Sequence, residues 1–109
     1  MTWTETHRRW HALQEIEARA NAALAAGTPL DELPWTPEYA AIFGDRDRLA
    51  AALRHRWRQA RRAQLDTHLP EAALEQQWRR LHEQHAGVLR LLAAHHRTDA
   101  GWSEDLLPA

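Results

Sequence analysis

The chain has 109 residues, a formal charge of -1 at pH 7, no cysteine, and fourteen basic residues that are all arginine. That length is one domain's worth, and the near-neutral balance supplies no global field to draw in nucleic acid or an acidic substrate. Without cysteine, disulfides, thiolate metal sites and a cysteine nucleophile are all excluded.

Residues 1–10 carry polar and charged residues where a secretory signal would need an unbroken apolar core. No run approaches the ~18 apolar residues of a membrane span. The expectation is a soluble, cytoplasmic protein that does not enter a membrane. The arginine and alanine content reads most simply as GC-rich coding bias. Six tryptophans in so short a chain say more. They predict a core built on large rings, each needing an N–H partner or a wet edge.

The first helix is expected from about Thr2 or Thr4, with Thr2 and Glu5 spaced as a capping box, to Ala26, where Gly27 stops it. Trp10, Leu13, Ile16, Ala20 and Leu24 form its inward stripe. Its second half is nearly all alanine, suited to close approach of a neighbour. Residues 27–34 read as a connection, because Gly-Thr-Pro and Leu-Pro oppose helix. A short helix follows over 36–43, with Thr36 as N-cap, Pro37 at the first position and Gly44 as the stop. Trp35, Tyr39, Ile42 and Phe43 give it the bulk to lid the alanine-rich half of the first helix.

Asp45 caps the next helix, which turns Leu49, Leu53, Trp57 and Ala60 inward and runs to about Leu65. Arg54, Arg58, Arg61 and Arg62 fall outside as a basic ridge. Arg56 projects near the inner face, so it must snorkel, stack on an indole, or meet a carboxylate such as Glu17. After a turn over 66–69, Pro70 opens the helix around which the rest is organised. There Leu74, Trp78, Leu81, His85, Val88, Leu92 and His95 recur at steps of four and three, on one face of a helix over 74–96. Gly87 interrupts it at a cost of about 1 kcal/mol, pointing away from the seam. The polar stretch after Arg97 ends in an apolar patch of Trp102, Leu106 and Leu107. Its acids Asp99, Glu104 and Asp105 suit the arginine ridge.

Eight histidines are the obvious source of chemistry. His7, His11 and Glu15 lie a turn apart, so all three can reach one ion from an outer helix face. His82 flanks the organising stripe and His85 sits in its middle, where a desolvated imidazole needs a partner for each nitrogen. His95 and His96 at the helix end compensate the dipole. No Glu-x-x-His pair exists for a carboxylate-bridged di-iron site, and His82-Glu83-Gln84-His85 has the wrong spacing for a zincin. No glycine-rich phosphate loop occurs, and Ser103 is the single serine, leaving hydroxyl nucleophile chemistry almost no material.

The sequence therefore predicts an all-α fold: a small antiparallel helical bundle of three long helices with one short inserted helix. The bundle domain covers residues 1–97 and a C-terminal tail residues 98–109. The favoured function is a non-enzymatic interaction module. It binds a protein partner or self-associates as a homodimer through Trp35, Tyr39, Trp102 and the ridge of Arg54, Arg58, Arg61 and Arg62. No cofactor is predicted. Two alternatives stay open: a histidine-dependent metal or haem site centred on His85 with His82 or His95, or at His7 and His11; and nucleic-acid binding through residues 54–62.

Overall fold

Helix boundaries in this protein are set by local chemistry wherever a capping residue is available. A computed structural model describes residues 3–64 and 68–98; 81% of the structure is helical, in five helices, with no strand among the described residues, so the fold is all-α. The first helix, α1 (Trp3–Ala25), ends where Gly27 adopts a φ of +80°. There the Thr28 N–H donates to the Ala23 carbonyl at 2.9 Å and the Gly27 N–H to the Leu24 carbonyl at 3.0 Å. This is the Schellman closure, which satisfies two of the helix's last carbonyls.

The short α2 (Pro37–Phe43) forms as its residues dictate. Thr36 Oγ1 accepts the Tyr39 N–H at 3.1 Å, and Gly44, at φ +92°, donates its N–H to the Ala40 carbonyl. Asp45 Oδ1 accepts the Arg48 N–H at 2.8 Å and so caps α3 (Arg46–Gln64). The last two helices are α4 (Glu71–Gln84), which follows Pro70, and α5 (Ala86–Thr98).

The continuous helix expected over 74–96 is thus two helices, parted at His85. The cause lies on α1. Asn21 Oδ1 accepts the backbone N–H of Gly87 at 2.9 Å and that of Val88 at 3.2 Å. In an unbroken helix those donors would bond the carbonyls of Glu83 and Gln84. A side chain from outside captures them and caps α5 as a local asparagine would. Gly87 also faces α1 and not away from it, since a Cβ there would meet the Ala20 carbonyl oxygen at 2.2 Å. Three long helices with one insertion therefore become five elements.

The alanine-rich end of α1 does admit a close neighbour, but that neighbour is α5. The short α2 lies over the earlier half of α1 instead, where the Tyr39 hydroxyl donates to Glu15 at 2.8 Å and the Arg9 guanidinium sits 5.0 Å from the Phe43 ring centre. Arg56 takes the third of its expected options. Its Nε and a terminal nitrogen donate to the two oxygens of Glu17 at 3.0 and 2.9 Å, a bidentate pair tying α3 to α1.

The core is aliphatic, which corrects the expectation of one built on indoles. Ile16, Leu49, Leu53, Val88 and Leu91 are fully enclosed, with Leu33, Tyr39 and Phe43 completing the cluster. Each large apolar side chain so buried stabilises the fold by ~1.5–3 kcal/mol. The indoles sit at the margins: Trp10 is 45% exposed, Trp78 is 39% exposed, and Trp35 and Trp57 are half-buried. The buried face of α1 is turned toward Ala12, which leaves Trp10 at its edge. On α4 the one buried residue is Leu81, not Trp78, and His85 is half-buried at the break rather than central to a seam. No described helix is long and apolar enough to cross a membrane.

Candidate interaction surface

At the start of α1, Trp3, His7, Trp10 and His11 recur at helical spacing and share one side of the helix. Their rings run as a continuous strip. Trp3 stacks on His7 with centroids 5.8 Å apart, His7 on Trp10 at 6.4 Å, and Trp10 meets His11 edge-on at 5.3 Å. Trp3 is 79% exposed, the most open large apolar side chain described. With Thr6, the rings of Trp3, His7 and Trp10 border a recess of about 400 Å³ that no aspartate, glutamate or arginine lines. The spacing of Trp10 from Leu13 predicts an inward indole, whereas the structure leaves Trp10 45% exposed. The signal for the strip is the pair of indoles seven residues apart with one imidazole, His7, between them and another, His11, just after.

The residues predicted to form a contact surface are dispersed. Tyr39 is only 4% exposed, so its ring belongs to the core. Burial, and then the Glu15 carboxylate that accepts its proton, push the Tyr39 hydroxyl above its ordinary pKa. Trp35 packs against the core with the Arg46 guanidinium 5.3 Å from its ring centre. Trp102 lies outside the described residues, as do Asp99, Glu104 and Asp105. The arginine ridge is partly spent inside the molecule. Arg54 hydrogen-bonds His96 on α5, and Arg61 lies 5.0 Å from the Trp78 ring centre on α4, whereas Arg58 and Arg62 stand exposed. Two of the four cations thus hold neighbouring helices and do not form a single open row.

The five histidines expected as metal ligands fall into three separate groups. His7 and His11 approach to 3.0 Å between their Nε2 atoms, but Glu15, expected to join them, is engaged by Tyr39. His82 and His85 both lie against Trp57, each with its ring 5.2 Å from the indole. Their Nδ1 atoms are 3.0 Å from the carbonyls of Trp78 and Leu81. A carbonyl only accepts, so Nδ1 carries the proton in both rings. His95 is elsewhere, bonded through Nε2 to Asp47 at 2.9 Å, so His82, His85 and His95 do not share a site. Among the described residues no three histidine or carboxylate side chains converge as a metal would require.

The fold thus defines an all-α protein with an aromatic surface at one helix end. No protein-family model matches the chain, and neither a curated protein nor a solved structure does.

Proposed function

We propose that the protein is a non-enzymatic interaction module that self-associates through the Trp3, His7 and Trp10 strip. The observation that carries this reading is the exposure of Trp3 and Trp10, two indoles each stacked on His7 and left on one helix face beside an apolar recess. Indoles are the side chains most often found to dominate protein contacts, because one ring buries a large area at a small entropic cost. The strip is also self-complementary. The two indoles flank His7, so two copies of α1 laid antiparallel set each Trp3 against the other copy's Trp10, the reciprocity a twofold contact demands. A patch of this size belongs with the smaller interfaces, so association in the micromolar range or weaker is expected.

Sedimentation equilibrium tests it. The apparent mass should rise with concentration from the single chain's 12.6 kDa toward twice that value. Trp3→Ala with Trp10→Ala should hold it at the single-chain mass with an unchanged helical circular dichroism spectrum. A wild-type chain that stays monomeric into the high micromolar range removes the reading.

One observation favours a second reading at the same place. His7 and His11 are joined by a 3.0 Å hydrogen bond between their Nε2 atoms, and two imidazoles bound cis at a right angle on Ni²⁺ at ~2.0–2.1 Å would lie a similar ~2.9 Å apart. Calorimetric titration with Ni²⁺ should then show one site per chain that His11→Ala abolishes. Absence of a saturable site excludes it.

A further inference from the structure

Between α1, α2 and α3 lies a second cleft, of about 510 Å³, independent of the aromatic strip. Its lining is apolar, with Leu13 and Phe43 at the buried base and Ile42 and Ala51 open toward solvent, and its rim carries Arg9, Arg48 and His55. Arg56 also borders it but is already paired with Glu17. No carboxylate lines the cleft. Arg48 reaches Asp45 only at 3.8 Å, with both side chains largely in solvent, and such exposed pairs contribute little. A cationic rim over an apolar floor selects a ligand that brings carboxylates and large apolar side chains together.

The chain contains such a segment. The eleven residues after Thr98 include Asp99, Glu104 and Asp105, no basic residue, and the apolar Trp102, Leu106 and Leu107. Its starting point is also suitable. The end of α5 is held against α3 by His95 on Asp47 and His96 on Arg54. Arg48, Ala51 and His55 occupy the adjoining face of α3. Eleven extended residues span up to ~36 Å, more than enough to pass round a helix ~10–12 Å across.

We propose that the acidic, apolar segment 99–109 of this chain docks in the cleft between α1, α2 and α3. Its carboxylates lie on Arg9 and Arg48, and its apolar side chains lie over Ile42 and Ala51. The segment is then an intramolecular occupant that any outside acidic partner must displace.

The absence of cysteine makes the test direct, because Ser103→Cys gives the full chain a single attachment point for a spin label. In the isotope-labelled protein, paramagnetic broadening should remove the amide signals of Ile42, Ala51 and Ala52 and spare those of α4. The signals should return when Arg48→Glu and His55→Glu are introduced. Both residues are exposed, and unchanged shifts for Ile16 and Leu91 would confirm an intact core. Samples mixing spin-labelled chains with isotope-labelled, spin-free chains, both carrying Trp3→Ala and Trp10→Ala so that the aromatic strip pairs no copies, should show no broadening. Retained cleft signals in the full chain overturn the proposal, and so does broadening in the mixed sample, which would place a second copy's segment there.

Discussion

Asn21 and Gly87, sixty-six positions apart, meet where α1 crosses α5, and the side chain of the first caps the backbone of the second. The crossing is close because Gly87 has no Cβ to strike Ala20. One glycine and one asparagine therefore fix where α5 begins and how near it lies to α1.

Gly87→Ala should destabilise the protein, although helix propensity alone favours alanine by about 1 kcal/mol. The added carbon would lie 2.2–2.5 Å from backbone atoms of Ala20 and Asn21, which no rotamer change relieves. A loss of about 3 kcal/mol or more is expected from overpacking of this kind, measured by urea unfolding. At Gly27 the space is open and only the positive φ opposes alanine, so Gly27→Ala should cost about 1 kcal/mol.

Asn21→Ala strands two backbone donors in a partly buried crossing and should cost about 1–2 kcal/mol. Asn21→Asp keeps the accepting oxygen and places a negative charge at a helix start, so it should be tolerated near neutral pH. Parallel denaturation curves of the two variants decide the matter. Equal losses would mean that the asparagine contributes by packing and not by capping.

The Glu17 and Arg56 pair is three-quarters or more shielded, with side-chain exposures of 16% and 25%. A double-mutant cycle on Glu17→Ala and Arg56→Ala should therefore give a coupling of about 1–2 kcal/mol, above the exposed-pair range and reduced only weakly by salt. Arg56→Lys should recover a minority of it, since an ammonium cannot make the paired bonds.

Tyr39 is the chain's single tyrosine, and its hydroxyl is held above the ordinary value by burial and by Glu15. The folded state therefore keeps this proton at a pH where the unfolded chain has begun to lose it. The associated stability is fully present below the unfolded value, about pH 10, and is lost as pH rises through the folded one. Tyr39→Phe should abolish that part of the alkaline loss and cost about 0.5–1.5 kcal/mol near neutrality. Wild type and variant falling in parallel above pH 10 would contradict this.

What could be read from the sequence was whatever local chemistry decides. Thr36, Pro37 and Gly44 mark out α2 by capping, fixed φ and left-handed termination, none of which needs a tertiary partner. The Leu49 and Leu53 spacing finds its buried face for the same reason. The break at His85 was not legible, because periodicity continues through it and its cause is an asparagine on another helix. The indoles misled for a related reason: a ring at the edge of a stripe has the spacing of a core residue, and only the rotation of α1 toward Ala12 separates Trp10 from Leu13. That rotation also hid the aromatic strip, whose members were split between an inward indole and outward imidazoles.

Helix α4 is fastened by a single interior leucine, with Trp78 and Arg61 closing over its outer edge. Such a helix can lift away while the leucines of α1, α3 and α5 stay locked together. Its amides will trade hydrogens with solvent ahead of theirs, through an opening far cheaper than global unfolding. Lifting α4 would bare Trp57, which His82 and His85 cover in the closed arrangement, so its indole fluorescence should report the same opening.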